Sequence, residues 1–82
     1  MKIAEIFCNK TPYTLPEGEH TGSNLRAFFK AEALERCSDG EYDLFREPFD
    51  PNHNDELIRD NDDLVYVQDG NRFYVVSRKI NG

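Results

Sequence analysis

The sequence predicts an α+β fold in which a mixed four- to five-stranded sheet packs on one amphipathic helix. Three observations indicate this. Two strand-like runs, residues 2–8 and 11–16, are separated by Asn9 and Lys10, a pair that suits a hairpin turn. Helical spacing of apolar residues is convincing only after Thr21. Residues 73–76 are aromatic and β-branched, which favours a strand.

The hairpin should lie at the edge of the sheet. Pro12 and Pro16 lack the backbone N–H that a central strand needs on both sides. Tyr13 and Leu15 alternate along the second strand, so we expect both to point into the core. The polar segment that follows, residues 17–20, is predicted to be a loop.

The helix should begin at Thr21, because a threonine hydroxyl can accept a hydrogen bond from the first turn. Its buried face is predicted to consist of Leu25, Phe28, Phe29, Glu32 and Ala33. We expect Arg26 and Lys30 to be solvated on the opposite side. Helical character fades through residues 34–36, and residues 38–40 break the pattern.

Further strands are predicted at residues 42–47, briefly at Leu57 and Ile58, and at residues 73–76. The turn over residues 61–65 should bring Leu64 and Val65 back into the core. The last strand has four consecutive large residues without polar alternation. Such a run indicates that both faces are covered, as in a central strand.

The order of these elements constrains the topology. A hairpin followed by a helix and then by returning strands makes the first and last strands parallel neighbours. Otherwise residues 73–76 would form an exposed apolar edge, which favours aggregation. One helix held by such a mixed sheet is the β-grasp architecture. We expect one domain over residues 1–77 and a flexible tail over residues 78–82.

Charge and composition limit the classes of binding partner and the cellular compartment that we expect. The chain has 82 residues and a net charge of −6, which disfavours nucleic acid and anionic membranes as partners. No apolar run approaches the roughly 20 residues that span a bilayer, and the acidic Glu5 argues against a signal peptide. We therefore expect a cytoplasmic protein with free thiols, Cys8 buried in a strand and Cys37 exposed in a polar loop.

No motif indicates an enzyme, a metal site or a cofactor. Residues 50–61 begin like a calcium loop, but Asp55 stands where that loop needs glycine and Asn61 where it needs a bidentate glutamate. His20 and His53 share no zinc-ligand spacing with each other or with the cysteines. The glycines are scattered and form no phosphate-binding loop.

Several segments carry a family resemblance that spans nearly the whole chain. They are residues 9–19, 21–25, 42–46, 55–57, 62–63 and 68–76. Through them the chain resembles ubiquitin-like proteins, and more closely the bacterial multiubiquitin-type domain found beside ubiquitin-activation genes. The gene neighbourhoods of that family suggest a bacterial ubiquitination-like pathway with a role in antiviral defence.

The resemblance implies a protein modifier that forms an isopeptide bond through Gly82. Its implied partners are an activating enzyme that uses ATP and Mg²⁺, a conjugating enzyme, a deconjugating protease and target proteins. The activating enzyme would grip the tail that precedes the glycine, namely Arg78, Lys79, Ile80 and Asn81. Asn81 departs from the family pattern, because ubiquitin has a second glycine at that place.

Two other functions remain open. A non-covalent ubiquitin-like interaction domain would use its sheet face and would be indifferent to Gly82. A sulfur carrier would convert the same glycine to a thiocarboxylate, although such carriers typically end in two glycines.

Overall fold

The structure is a computed structural model that describes residues 2–78. Within these residues seven strands and two short helices follow one another along the chain. They are β1 (Ile3–Cys8), β2 (Thr11–Pro16), β3 (Gly18–Thr21), α1 (Gly22–Phe28), α2 (Lys30–Arg36), β4 (Tyr42–Arg46), β5 (Glu56–Ile58), β6 (Leu64–Val67) and β7 (Arg72–Ser77). Neither helix is long or apolar enough to cross a membrane.

The main sheet is mixed, with five strands in the order β2-β1-β7-β4-β5. Strand β7 runs parallel to β1 and antiparallel to β4. The prediction that the first and last strands are parallel neighbours is therefore confirmed. The prediction of a central last strand is confirmed as well, since β7 has two strands on each side.

The β1–β2 turn has the backbone expected of a tight hairpin. Asn9 and Lys10 both have positive φ, 50° and 70°, as the two central residues of a type I′ turn require. The Asn9 side chain also joins the turn to β7, because its Oδ1 accepts a 3.0 Å hydrogen bond from the backbone N–H of Val75. β2 forms the edge of the sheet, as its two prolines predict.

A second, two-stranded sheet corrects the prediction that residues 17–20 form a loop. β3 pairs with β6 in antiparallel register, with His20 opposite Val65. Arg46 links the two sheets, since its Nη1 donates a 2.6 Å hydrogen bond to the carbonyl of Tyr66 and its Nη2 lies 2.7 Å from Glu56 Oε1. A polar strand of four residues lacks the apolar alternation on which sequence reasoning depends.

The single predicted helix is interrupted at Phe29, which separates α1 from α2. Thr21 is the N-cap, as expected, and its Oγ1 accepts a 3.1 Å hydrogen bond from the backbone N–H of Asn24. The predicted solvation of Arg26 is wrong, because this side chain is half-buried and its guanidinium lies 4.8 Å from the centre of the Tyr42 ring.

The core lies between the main sheet and the helices. Its largest fully buried side chains are Ile6, Leu25, Phe29, Leu44, Ile58 and Val67. Leu15, Val65 and Phe73 are also buried, and Tyr13 packs against this cluster. These placements confirm most of the predicted inward-facing residues.

Three further predicted burial states are wrong. Phe28 is 40% exposed and Leu64 is 62% exposed, whereas Cys37 is buried with only 7% exposed. Phe28 directly precedes the buried Phe29 and turns partly towards solvent, and Leu64 alternates outward from Val65. Cys37 follows α2 directly and packs with Ala33 and Tyr42 rather than lying in an open loop.

The last strand is covered on one face only, which corrects the prediction that both faces are buried. Phe73 is buried and Val75 is half-buried towards the helices. On the other face Tyr74 is half-buried and Val76 is 45% exposed. No layer of the described chain packs on that outer face, so its large side chains meet solvent.

Candidate functional site

The first candidate site is the end of β7, where the chain leaves the centre of the main sheet. The backbone N–H of Arg78 donates a 2.9 Å hydrogen bond to the carbonyl of Glu41. The Nε of Arg78 lies 2.9 Å from Asp43 Oδ1, and its Nη1 lies 3.9 Å from Glu41 Oε2. Two carboxylates at the beginning of β4 therefore hold the first residue after the strand.

Arg78 is the one predicted tail residue whose position is described. Lys79, Ile80, Asn81 and Gly82 lie outside the described residues. The Arg78 side chain is half exposed, so it can exchange its carboxylate partners for groups on another protein. Exposed ion pairs of this kind contribute little stability, typically about 0.2–1 kcal/mol.

The second candidate site is the outer face of the main sheet, which carries an apolar strip. Phe45 lies opposite Tyr74 in the β4–β7 register, and the two rings stack at 5.4 Å with an angle of 16° between their planes. Val76 and Leu57 flank this pair and are 45% and 38% exposed. Contiguous exposed apolar side chains are a common feature of protein-binding surfaces.

Two hydrogen-bonded tyrosines have altered acidity. The Tyr74 hydroxyl donates to Asp55 Oδ2; burial, with a smaller contribution from this bond, raises the pKa of Tyr74 to about 12. Tyr13 on the inner face donates a 3.0 Å hydrogen bond to Glu32 Oε1. Burial, followed by this bond, raises its pKa to about 12. Both hydroxyls stay protonated at neutral pH and act there as hydrogen-bond donors.

The thiols are placed for packing. Cys8 and Cys37 are free and buried, and burial raises the pKa of the Cys8 thiol to about 12. A thiol of that pKa is protonated at neutral pH and is a poor nucleophile. Within residues 2–78, no cluster of three or more His, Cys, Asp or Glu side chains is arranged to bind a metal ion.

Sequence reasoning named the sheet face only in general terms and did not identify the residues of the outer strip. The alternation of residues in β4 indicates the strip. Tyr42 and Leu44 point to the buried face, so the ring of Phe45 lies on the opposite face. The same alternation in β7 separates Phe73 from Tyr74. The strip was hidden because the unbroken run of large residues in β7 suggested burial on both faces.

Comparisons with protein-family models, with curated proteins and with solved structures found no match to this chain.

Proposed function

We propose that this chain is a ubiquitin-like protein modifier with the β-grasp fold. In this proposal an ATP-dependent activating enzyme activates the carboxylate of Gly82, and a conjugating enzyme transfers it to amines of target proteins. A deconjugating protease reverses the bond. The chain is a substrate of these enzymes, acts in the cytoplasm and has no catalytic residue of its own.

One observation carries the proposal: the last strand is the centre of the sheet, and the chain leaves it at the surface. Because β7 lies between β1 and β4, the folded body holds the strand that precedes the tail on both sides. A modifier needs this combination of a rigid body and a terminal segment that reaches a narrow cleft. The order of strands in the main sheet, with β7 central and parallel to β1, also supports the β-grasp assignment.

The chemistry of Gly82 supports the same function. Glycine has no Cβ, so an attacking thiolate can approach its activated carboxylate without steric obstruction, and its backbone adopts conformations that other residues avoid. Asn81 adds a side chain directly before the reacting group. The activating enzyme of this modifier therefore needs a wider cleft at that place than one that accepts two glycines.

The test is intact-mass analysis after incubation with ATP, Mg²⁺ and an extract of the cells that produce the protein. We expect a thiol-sensitive adduct or a ladder of heavier covalent products with the full chain and none with a Gly82-deleted variant. An Asn81→Gly variant is the matched control, because it changes the tail but retains the terminal glycine and should still react. Equal thermal unfolding temperatures of the three proteins would show that the fold is intact.

Two results would contradict the proposal. Unchanged mass of the full chain, in an extract with its ATP intact, would exclude activation at Gly82 under these conditions. A shift equal to the replacement of one oxygen by sulfur, lost on deletion of Gly82, would instead assign the chain as a sulfur carrier.

The apolar strip on the outer sheet face favours a second candidate, a non-covalent interaction domain. The half-buried Phe45 and Tyr74 and the exposed Val76 give it a surface that does not involve the tail. This function predicts that Val76→Ser abolishes partner binding while deletion of Gly82 leaves it unchanged. A modifier predicts that deletion of Gly82 abolishes the covalent products.

A further inference from the structure

A groove beside the β1–β2 turn combines positive charges in a way that neither function above requires. Its volume is about 390 Å³, within the range of roughly 300–1,000 Å³ typical of small-molecule sites. The turn, the end of α2 and the beginning of β7 meet there. Lys10, Arg36 and Arg72 supply three cations against the single carboxylate of Glu47.

This cluster is unusual in a chain of net charge −6. Among the described residues, Lys2, Arg46 and Arg78 each lie within ion-pair distance of a carboxylate. Within residues 2–78, however, none of Lys10, Arg36 and Arg72 lies within ion-pair distance of a carboxylate. Among the lining residues only the Glu47 carboxylate offsets their mutual repulsion, and an anion in the groove would relieve the rest.

The groove is partly preorganised. The Arg72 guanidinium lies 5.3 Å from the centre of the Phe7 ring, and this cation–π contact restricts its orientation. Phe7 and Tyr74 add aromatic surface to the lining. A ligand with both an anionic group and a carbon skeleton therefore finds charge and apolar surface together.

The turn itself contributes a hydrogen-bond donor without an acceptor. Asn9 lines the same groove, and its buried Nδ2 has no hydrogen-bond partner among the described residues. Exchanging the positions of Oδ1 and Nδ2 would not help, because it would break the hydrogen bond that Oδ1 accepts from the backbone N–H of Val75. An unsatisfied buried donor costs about 1–3 kcal/mol, and a ligand oxygen that reaches it supplies the missing acceptor.

We propose that this groove binds a phosphate monoester through Lys10, Arg36, Arg72 and the side-chain amide of Asn9. A phosphate monoester carries a charge of about −1.5 to −2 and three acceptor oxygens near pH 7. Three cations and an amide donor match that group better than a carboxylate, which has a single charge and two oxygens. The phosphate can be free or attached to an amino-acid side chain.

The experiment is an NMR titration of the ¹⁵N-labelled full chain with inorganic phosphate and, separately, with a short phosphoserine peptide. Ionic strength is held constant with sodium chloride. We expect saturable shifts of the Asn9 side-chain amide and the Lys10 backbone amide with both probes. Equal affinities would indicate a site for the bare anion, and tighter binding of the peptide would indicate a site for a phosphorylated protein.

Variants that each remove one positive charge distinguish a specific binding site from a general effect of net charge. Arg36→Gln and Lys10→Gly should each weaken binding about tenfold or more, as expected for the loss of one charge-assisted contact. Lys30→Gln removes the same charge from an exposed helix position outside the groove and should leave affinity unchanged. Lys10→Gly also relieves a positive φ, so misfolding would not account for its weaker binding.

Two outcomes would overturn the proposal. One is the absence of saturable shifts at Asn9 and Lys10 with either probe. The other is an equal loss of affinity in Lys30→Gln and in the groove variants, which would assign the effect to net charge. Neither outcome bears on activation at Gly82.

Discussion

The hydroxyl of Tyr13 donates a 3.0 Å hydrogen bond to Oε1 of Glu32, a glutamate that is only 8% exposed. The bond joins the edge strand β2 to helix α2 and satisfies a carboxylate that faces the core. Tyr13 also contacts the rings of Phe28 and Phe29 edge-on, with centroids 5.6 Å and 5.5 Å away. The edge of the sheet is thus held to the helices by one polar contact within an aromatic cluster.

Removing that hydroxyl should destabilise the protein. Tyr13→Phe keeps the ring contacts but leaves the buried Glu32 carboxylate without its donor, at an expected cost of about 1–3 kcal/mol in the free energy of unfolding. Glu32→Gln is the control, because its amide oxygen can still accept the bond, and it should cost less. Urea unfolding at pH 7 measures both, and equal stability of Tyr13→Phe and the unmodified protein would refute the prediction.

Stability should decline in alkaline solution. Burial raises the pKa of Cys8 from 9.0 to about 12, and burial with hydrogen bonding raises those of Tyr13 and Tyr74 from 10.0 to about 12. Between these values the unfolded chain releases protons that the folded chain keeps, so stability falls as pH rises. The contribution is fully present below pH 9 and is lost as pH approaches 12.

Urea unfolding at a series of pH values from 8 to about 11.5 checks this decline, within the window that the raised pKa values define. Cys8→Ala should flatten the curve from its beginning near pH 9, because the thiol has the lowest ordinary pKa of the three groups. Tyr74→Phe should flatten it only above about pH 10. A curve for either variant parallel to that of the unmodified protein would show that the group does not contribute.

The sequence predicted the main sheet because turn chemistry and strand composition agree there. Asn9 and Lys10 separate two runs of the right length, and Pro12 and Pro16 mark an edge. It did not predict β3, because this strand of four residues is polar and has no apolar alternation. It did not predict β6 either, because Leu64 and Val65 were assigned to a turn, although Val65 and Val67 alternate with exposed residues as in a strand.

Gly22 should tolerate no side chain. It is buried at the beginning of α1, and a Cβ added there would overlap the backbone carbonyl oxygen of Arg59. Gly22→Ala should therefore lower the free energy of unfolding by about 3 kcal/mol, the upper range for overpacking. Thermal or urea unfolding measures it.

Gly40→Ala is the matched control for that prediction. Its φ of 77° is unfavourable for alanine, but no atom lies within 4 Å of the added Cβ. The expected cost is about 1 kcal/mol, from the left-handed backbone alone. If both variants lost the same stability, the close approach of α1 to Arg59 would not be the cause.

Replacing Lys10 by glycine should stabilise the protein. Lysine at a φ of 70° is unfavourable, whereas Asn-Gly is the preferred pair for a two-residue type I′ turn. We expect a gain of roughly 1 kcal/mol in the free energy of unfolding. Asn9→Ala should have the opposite effect, since it also removes the hydrogen bond to Val75, and a loss of stability in Lys10→Gly would contradict this account.

The end of β7 and the groove beside the β1–β2 turn differ in how far a sequence can reveal them. The end of β7 follows from order along the chain, so residues 73–78 pointed to it. The groove requires Lys10, Arg36 and Arg72 to meet from three separate elements, and no spacing in the sequence indicates that. The predicted exposure of Cys37 and the predicted burial of Phe28 were wrong for a related reason. One helical position or one turn decides which way each side chain faces.

The central position of β7 has a consequence for synthesis. Asn9 and Val75 are hydrogen-bonded although 66 residues separate them, and β1 and β4 have no sheet contact except through β7. A nascent chain that has emerged from the ribosome only as far as β6 holds two helices and the strand pairs β1–β2, β4–β5 and β3–β6, but it lacks the strand that joins β1 to β4. Folding must wait for nearly the whole of residues 2–78, and such long-range closure slows the folding rate. A prematurely terminated chain would expose its core and become a substrate for proteases.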